Sequence, residues 1–303
     1  MEPPFEFDKV TENRYLGDLP TTSVYSGYLN GRWAARGIIL SGYLASTMTK
    51  VAMQQYPGRH PINVNTFYVN PGTEGPFIVE LEKIKGNSKG MCTYITRLKQ
   101  LQGANSSMKP LDTLEAYNPN DYVIKNFAVI NMSGAKPEQG YSHPSPEKYK
   151  TVPIENMVQL PSECEGDTTL RMYHDINRSD SPHVNHYAFE FADGRPVDNL
   201  ALVYFFDMYM DPFSPLMNKN APDQVHKGWK PTLHYEVQFK NPIKKPIRRA
   251  YLVYTIPNVI HGRFDMDGSV YNEEGELLAT TRHQLRIIPR KEKQVPASSE
   301  SKL

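Results

Sequence analysis

The segment WAARGIILSGYLASTMTKVAMQQYP, residues 33–57, is apolar at helical spacing and closes on a proline. Because apolar residues three and four positions apart share a helix face and proline cannot continue a helix, the segment predicts one long buried helix over residues 35–55. Three stretches rich in β-branched and aromatic residues follow it, separated by the turn-forming sequences PGTEGP and GNSKG. They predict antiparallel strands over residues 62–70, 77–85 and 91–101.

The same order of elements occurs again in the second half of the chain. The sequence LALVYFFDMYM, residues 200–210, predicts a second apolar helix that begins with Pro196 inside its first turn. Strands are predicted over residues 169–175, 185–191, 232–239, 250–257, 263–271 and 277–288. The element order predicts an α+β fold with two domains in one chain, each an antiparallel sheet wrapped around a long central helix.

Composition sets the expected domain boundaries. The N-terminal domain is predicted over residues 1–120 and the C-terminal domain over residues 166–290. Between them, residues 121–165 are rich in Pro, Ser, Asn, Gly and Glu and predict an irregular connector. The polar sequence of residues 291–303 predicts a flexible tail.

Charge and cysteine content exclude several classes of function. The 34 basic and 33 acidic residues nearly cancel, so no overall field favours nucleic acid or an anionic membrane, and a small charged or amphiphilic ligand fits better. No stretch of the sequence approaches the roughly 20 consecutive apolar residues that a membrane-spanning helix needs. The two cysteines, Cys92 and Cys164, provide neither a disulfide framework nor the spacing of a metal site, which indicates a reducing compartment and no structural metal.

The last three residues, Ser301, Lys302 and Leu303, match the address for import into the peroxisomal matrix. A polar tail with basic residues upstream would present this tripeptide to an import receptor. The alternative is a chance ending on a solvated tail.

Asp207 is the only charged residue within LALVYFFDMYM. In a helix, Tyr204, Val203 and Leu200 would share its face, so the carboxylate would point where the apolar stripe points. Burial raises the pKa of a carboxyl group, which makes Asp207 a candidate for chemistry. The alternative is a structural partner for an internal arginine or tyrosine.

Five segments together resemble the double-hotdog acyl-CoA thioesterases, the medium- and long-chain type found in bacteria and peroxisomes. These segments are RGIILSGYLAS, NTFYVNPG, LALVYFFDMYM, PTLHYEVQFKNP and GELLATTRHQL. The resemblance implies two hotdog domains. It also implies a catalytic set of an aspartate on the second helix, a hydroxyl residue at the start of the next strand and a glutamine on the final strand, which together bind the attacking water.

Carried over by position, the aspartate corresponds to Asp207 and the hydroxyl residue to Thr232. The third position holds His283 where the family has glutamine, and Gln284 lies one residue later. Because neighbouring strand residues face opposite ways, a one-residue shift would turn the adjacent side chains to the wrong face, so His283 is the candidate. An imidazole titrates near neutral pH and could share the proton of the water.

Two further groups are candidates for contacts with the substrate. The family's glycine pair at the start of the first helix corresponds to Arg36 and Gly37, and backbone N–H groups near Gly37 are expected to stabilise an oxyanion. A basic loop holds Lys244, Lys245, Arg248 and Arg249, which are candidates for binding the phosphates of coenzyme A. The alternative for this loop is a solvated hairpin.

The resemblance therefore implies an enzyme of lipid metabolism, an acyl-CoA thioesterase of the peroxisomal matrix. It would hydrolyse an acyl-CoA to a carboxylic acid and coenzyme A, with no cofactor beyond the coenzyme A of the substrate and with homo-oligomers possible. Two alternatives stay open. One is a hotdog enoyl-CoA hydratase, to whose signature His183 and His186 have only a poor likeness, and the other is a non-catalytic acyl-CoA binding protein with a degraded site.

Overall fold

The fold is described from a computed structural model. It describes residues 5–86, 89–134, 136, 138, 140–141, 143, 148–161, 169–178, 184–208, 228–241, 243 and 245–289. Several predicted features lie outside the described residues: Cys164, His183, Lys244, and the tail with Ser301, Lys302 and Leu303.

Three α-helices lie in the described part of the chain. They are α1 (Glu6–Val10), α2 (Ser41–Gln55) and α3 (Asn199–Phe205). The strands of the first half are β1 (Asn13–Asp18), β2 (Thr22–Leu29), β3 (Ala34–Ala35), β4 (Ile38–Ile39), β5 (Pro61–Tyr68), β6 (Gly75–Lys85), β7 (Cys92–Leu101) and β8 (Tyr122–Met132). Those of the second half are β9 (Val158–Leu160), β10 (Leu170–His174), β11 (Val184–Phe191), β12 (Thr232–Phe239), β13 (Ala250–Thr255), β14 (Val259–Ile260), β15 (Arg263–Tyr271) and β16 (Leu277–Arg286).

One continuous antiparallel sheet runs through both halves. Its strand order is β1-β2-β6-β7-β8-β5-β12-β16-β15-β13-β11-β10-β9, with β14 attached to β15, while β3 and β4 form a separate small hairpin. The halves meet where β5 pairs with β12, with Val64 opposite Val237. The antiparallel sheet predicted from alternating apolar residues is confirmed, and the joint between β5 and β12 makes the two halves one structural unit.

The two central helices pack on one another and against the inner face of the sheet. Helix α2 buries most of its length, including Tyr43, Met48 and Val51, because its residues up to Ala52 are small, apolar or hydroxyl-bearing, with the exception of Lys50. Helix α3 is buried from Leu200 to Phe205. The start of α2 and the end of α3 therefore meet inside the molecule.

Both predicted helices differ from the observed ones. Helix α2 ends at Gln55 as predicted, but it starts at Ser41, because Arg36 and Gly37 form the turn of the β3–β4 hairpin with φ values of 55° and 79°. Helix α3 has seven residues, begins after the capping residue Asp198 instead of at Pro196, and ends before Asp207. The prediction of a long central helix in each half is therefore not confirmed.

The predicted irregular connector over residues 121–165 is wrong in its first part. Strand β8 occupies Tyr122–Met132 and lies between β7 and β5 in the sheet. A polar residue, Asn126, lies on the buried face of this strand together with Ala128 and Ile130, and it interrupts the alternation of apolar residues from which a strand is predicted. Strands β1 and β2 were also not predicted.

Candidate active site

A cavity of about 580 Å³ opens between the two halves of the molecule. Its walls come from the β3–β4 hairpin, the start of α2, the end of β5, strands β9 and β10, the end of α3, the start of β12 and the end of β16. Many wall residues are apolar, among them Ile39, Leu44, Leu170, Met172 and Met208. The size suits a small-molecule ligand, and apolar walls suit a hydrophobic one.

Asp207 lines this cavity just beyond the end of α3. Its carboxylate faces the first turn of α2, where the backbone N–H of Gly42 donates a hydrogen bond of 2.7 Å to Oδ2. Helix α2 is preceded by Leu40, which has no side-chain group to cap it. Asp207 therefore caps the first helix from the second half of the chain, in the region where the helix dipole favours negative charge.

The close approach of the two helices depends on Gly42. A Cβ atom at this position would lie 2.6 Å from Cβ of Asp207 and 2.8 Å from the carbonyl oxygen of Tyr204. No side chain fits in that space, so a glycine is required where α2 meets the end of α3. The Ser41–Gly42 pair, not Arg36–Gly37, is thus the pair at the start of this helix.

Burial raises the pKa of Asp207 to about 7, while hydrogen bonds from Gly42 and Ser41 partly oppose this shift. A carboxylate with this pKa is ionised in about half of the molecules at neutral pH and is a much stronger base than an exposed aspartate. Its position on the cavity wall gives a bound molecule access to it. Asp207 thus combines the basicity and the accessibility of a general base.

Thr232 is the first residue of β12 and lines the same cavity. Oγ of Ser41 and Oγ1 of Thr232 lie 3.2 Å apart, within hydrogen-bonding distance, and Ser41 also hydrogen-bonds to Asp207 through its hydroxyl and its backbone N–H. The hydroxyl of Tyr68 donates to the carbonyl oxygen of Ser41 at 2.7 Å. Ser41 therefore joins the two predicted site residues, one from each side of the α2 start.

Sequence reasoning missed Ser41. A helix predicted from residue 35 puts Ser41, which lies within RGIILSGYLAS, in its second turn and not at its start. A helix start at Ser41 would have exposed the signal, because a serine-glycine pair there offers both a hydroxyl and a close backbone approach.

The structure does not bring His283 to the cavity. The residue lies on β16 opposite Tyr235, with the two ring centroids 4.3 Å apart, and its side chain is fully buried. Burial lowers the pKa of His283 to about 3, so the ring stays neutral at pH 7. The expectation that this imidazole titrates near neutrality is wrong for this reason. Gln284 is exposed on the other side of the strand.

Two tyrosines beside His283 hold the end of α3. The hydroxyl of Tyr235 donates to the carbonyl oxygen of Val203, and that of Tyr254 donates to the carbonyl oxygen of Phe206. The centroid of the His283 ring lies 6.2 Å from that of Tyr254. His283 thus packs against the side chains that fix the backbone just before Asp207.

Gly37 does not lie at a helix start, so the reason for expecting oxyanion donors there is wrong. It occupies the second turn position of the β3–β4 hairpin, and the helix begins four residues later, at Ser41. The helical N–H groups that lie in the site are those of Ser41 and Gly42, and both already hydrogen-bond to Asp207.

The described residues of the predicted phosphate-binding loop do not line the cavity. The guanidinium groups of Arg248 and Arg249 lie 3.4 Å and 2.6 Å from Oε2 of Glu190. Lys245 lines a separate shallow depression beside Arg195. The carboxylate of Glu190 neutralises part of the charge that made this loop a phosphate candidate.

Within the described ranges, no cluster of three or more histidine, cysteine, aspartate or glutamate side chains is arranged to hold a metal ion. None of the helices in the described part of the chain is long and apolar enough to cross a membrane.

Comparison with solved structures establishes the fold class. A hotdog-fold protein of unknown function from Alicyclobacillus acidocaldarius is 17% identical, with a TM-score of 0.73 and coverage of 95% of this chain and 100% of the other. An acyl-CoA thioesterase II from Mycobacterium marinum is 12% identical, with a TM-score of 0.68 and coverage of 94% and 99%. The molecule thus has the hotdog fold, and its two halves and shared cavity make it a double-hotdog protein.

The family follows from the sequence. Profiles of the acyl-CoA thioesterase N-terminal domain and C-terminal domain match residues 29–108 and 154–287, respectively. This chain belongs to the acyl-CoA thioesterase family. No curated protein matches its sequence significantly.

Proposed function

We propose that this protein hydrolyses an acyl-CoA to a free carboxylic acid and coenzyme A, with Asp207 as the general base. The observation that carries the proposal is a carboxylate with a pKa of about 7 on the wall of a largely apolar cavity. A thioester with an apolar acyl chain matches both properties of the site, since the chain fits the walls and the carbonyl needs an activated water.

The proposed reaction begins with a water molecule held by Asp207 and Thr232. The water oxygen attacks the thioester carbonyl carbon while the Asp207 carboxylate takes a proton from it. Collapse of the tetrahedral intermediate breaks the carbon–sulfur bond, and the coenzyme A sulfur leaves with the proton from Asp207. The carboxylate is thereby regenerated, and the products are the acid and the thiol.

Ser41 and Gly42 tune the base in this scheme. Their hydrogen bonds to Asp207 favour its ionised form, while burial favours the neutral form. The balance keeps the carboxyl group able to accept a proton in the first step and return it in the second. Thr232 orients the water, because one hydroxyl can both donate and accept a hydrogen bond.

Purified protein incubated with acyl-CoAs of different chain lengths tests the proposal through release of free thiol. Hydrolysis predicts one thiol per acid formed. Loss of enoyl absorbance without thiol release would identify a hydratase instead. Binding of acyl-CoA with no turnover at any chain length would identify a non-catalytic binding protein, and either result would overturn the proposal.

The site of action that we propose is the peroxisomal matrix, with an import receptor bound to Ser301, Lys302 and Leu303. A fluorescent fusion at the N-terminus should localise with a peroxisomal marker, and a variant without these three residues should not. A diffuse signal from the full chain would overturn the localisation. The possible homo-oligomer also stays a prediction, which sedimentation of the purified protein would test.

A further inference from the structure

The charged side chains around the cavity are unevenly distributed. Among the described residues that line it, Arg36, Lys230 and Arg286 are basic, and Asp207 is the only acid. Asp207 lies at the helix junction described above, while Arg36 and Arg286 have exposed side chains. The cavity therefore combines one inner carboxylate with exposed positive charge on its wall, and the bound molecule should carry negative charge outside its apolar part.

Lys230 and Arg286 are brought together by the backbone. Trp229 and Ile288 exchange two hydrogen bonds, of 2.9 Å and 2.8 Å, and the N–H of Arg286 donates to the carbonyl oxygen of Pro231 at 3.2 Å. Lys230 and Arg286 thus lie on neighbouring segments joined by these bonds. They are held there by main-chain contacts that do not use their charges.

Arg36 reaches the same cavity from the other half of the chain. It occupies the first turn position of the β3–β4 hairpin. Its φ of 55° lies in the left-handed region of the backbone, which residues other than glycine and asparagine rarely adopt. Within the described residues, no ion pair engages Arg36 or Arg286. In contrast, Arg249 is bound by Glu190.

Resting on the proposed function, we propose that Arg36, Lys230 and Arg286 bind the phosphates of the coenzyme A part of the substrate. Guanidinium and ammonium groups are the natural partners of phosphate oxygens. Trp229 lines the cavity beside Lys230 and has 41% of its surface exposed, so its indole offers a flat surface on which the adenine ring can stack. The phosphate site is therefore on the cavity wall, and the loop with Arg248 and Arg249 is not part of it.

One part of the apolar wall of the cavity lies on strands away from β16. Leu160 and Met172 face each other across β9 and β10, and β10 is four positions from β16 in the strand order. An acyl-CoA can therefore place its chain against β9 and β10 and its phosphates beside β16, with the thioester at Asp207.

The test compares two substrates that share an acyl group, an acyl-CoA and the corresponding acyl-pantetheine, which has no phosphates. Three variants remove charge from the cavity: Arg36→Asn, which tolerates the left-handed backbone, Arg286→Gln, and the two combined. Arg248→Gln is the matched control, because it removes an exposed charge outside the cavity. We expect each single change to raise KM for acyl-CoA by about tenfold, with kcat nearly unchanged. KM for acyl-pantetheine should not change.

Ionic strength gives an independent readout. For the unaltered enzyme, KM for acyl-CoA should rise with added salt, and this dependence should weaken in the double variant. Equal effects on both substrates, or no effect on either, would overturn the phosphate site. The Arg248→Gln variant should behave as the unaltered enzyme, and a loss there equal to that of Arg286→Gln would also overturn it.

Binding of free coenzyme A, measured by calorimetry, separates this inference from the thioesterase activity. If the protein hydrolyses neither substrate but binds coenzyme A less tightly in the double variant, the proposed function fails and the phosphate site stands. If it hydrolyses both and the variants bind coenzyme A as tightly as the unaltered protein, the proposed function stands and the phosphate site fails.

Discussion

Asp198 and Asp207 accept similar hydrogen bonds at the starts of the two central helices, but their surroundings differ. Asp198 precedes its own helix, accepts a bond of 2.8 Å from the N–H of Ala201, and pairs with Arg195 at 2.8 Å while half-exposed. Asp207 accepts a bond of 2.7 Å from the N–H of Gly42 on the other helix, and burial raises its pKa to about 7. The first is a half-exposed cap paired with a cation, and the second is a cap that lines a ligand-sized cavity.

A capping hydrogen bond alone therefore does not identify the role of an aspartate. With a paired arginine and solvent nearby, the ionised carboxylate of Asp198 stabilises its helix. The ionised carboxylate of Asp207 is disfavoured by its enclosure, even though two neighbouring residues hydrogen-bond to it. Burial makes the ionisation of Asp207 costly, so the presence of a carboxyl group at this position is better explained by a chemical role than by a contribution to stability.

The largest effect is expected from Asp207→Asn. The side-chain amide oxygen can still accept the bond from Gly42 but cannot take a proton from water, so kcat should fall by at least about a hundredfold. The folded-state pKa of about 7 lies above the ordinary value of 3.8, so folding favours the protonated acid. That contribution is present below about pH 4 and is lost as the pH rises through 7. At pH 8 the variant should therefore melt no lower than the unaltered protein.

Asp198→Ala is the contrasting change. It should reduce the free energy of unfolding by about 1 kcal/mol through loss of the cap, while the activity of the folded protein changes little. Thiol release and thermal melts of both variants check the pair. Full activity in Asp207→Asn, or a large loss in Asp198→Ala under conditions where it is folded, would reverse the roles assigned to the two aspartates.

The next largest effect is expected from Gly42→Ala. The new methyl group would lie 2.6 Å from Cβ of Asp207, so the helices must separate and the carboxylate must move. Activity should fall by more than about tenfold, together with a lower melting temperature. Gly37→Ala is the control, because no atom lies within 4 Å of its Cβ position and only its φ of 79° is strained. It should lower stability by about 1 kcal/mol and leave kcat unchanged; a loss of kcat there would restore the predicted oxyanion role of Gly37.

Ser41→Ala and Thr232→Val separate the two hydroxyls of the site. Removal of the Ser41 hydroxyl takes a hydrogen bond from the ionised form of Asp207, so the pKa of Asp207 should rise and activity at pH 7 should fall by about tenfold, with partial recovery at higher pH. Thr232→Val should lower activity without moving the pH profile. If the pH dependence of activity shifts in neither variant, the hydroxyl of Ser41 does not affect the pKa of Asp207.

The smallest effect is expected from His283→Gln. The imidazole is neutral and does not line the cavity, so kcat should change by less than about threefold and the pH profile should keep its position. A large loss with a flattened profile would show that the imidazole takes part in proton transfer. A large gain would show that the histidine marks a degraded form of the family's site.

The sequence predicts those parts of the fold that depend on local patterns. Strands β12 and β15 have the predicted bounds, because alternation of apolar residues is a property of the strand itself. The predicted start of α2 and the predicted extent of α3 were wrong, because the apolar run begins before α2, in the β3–β4 hairpin, and continues past the end of α3. Apolar character marks burial and does not mark where a helix begins or ends.

The site shows the same division between local and tertiary information. Asp207 stands out in the sequence because a charge within an apolar run is a local anomaly, and Thr232 follows from its position at a strand start. Ser41 and Gly42 have no such signal, because their roles exist only where α2 meets α3. The depressed pKa of His283 likewise depends on the packing of Tyr235 and Tyr254 around it.

The measurement that tests the central claim most directly is the pH dependence of kcat/KM for an acyl-CoA. With Asp207 as the base and its pKa at about 7, kcat/KM should rise about tenfold per pH unit below 7, level off above it, and lose this ionisation in Asp207→Asn. A value that stays constant from about pH 5 to 8 in the unaltered enzyme would contradict the assignment, because the base would then have the ordinary pKa of an exposed carboxylate.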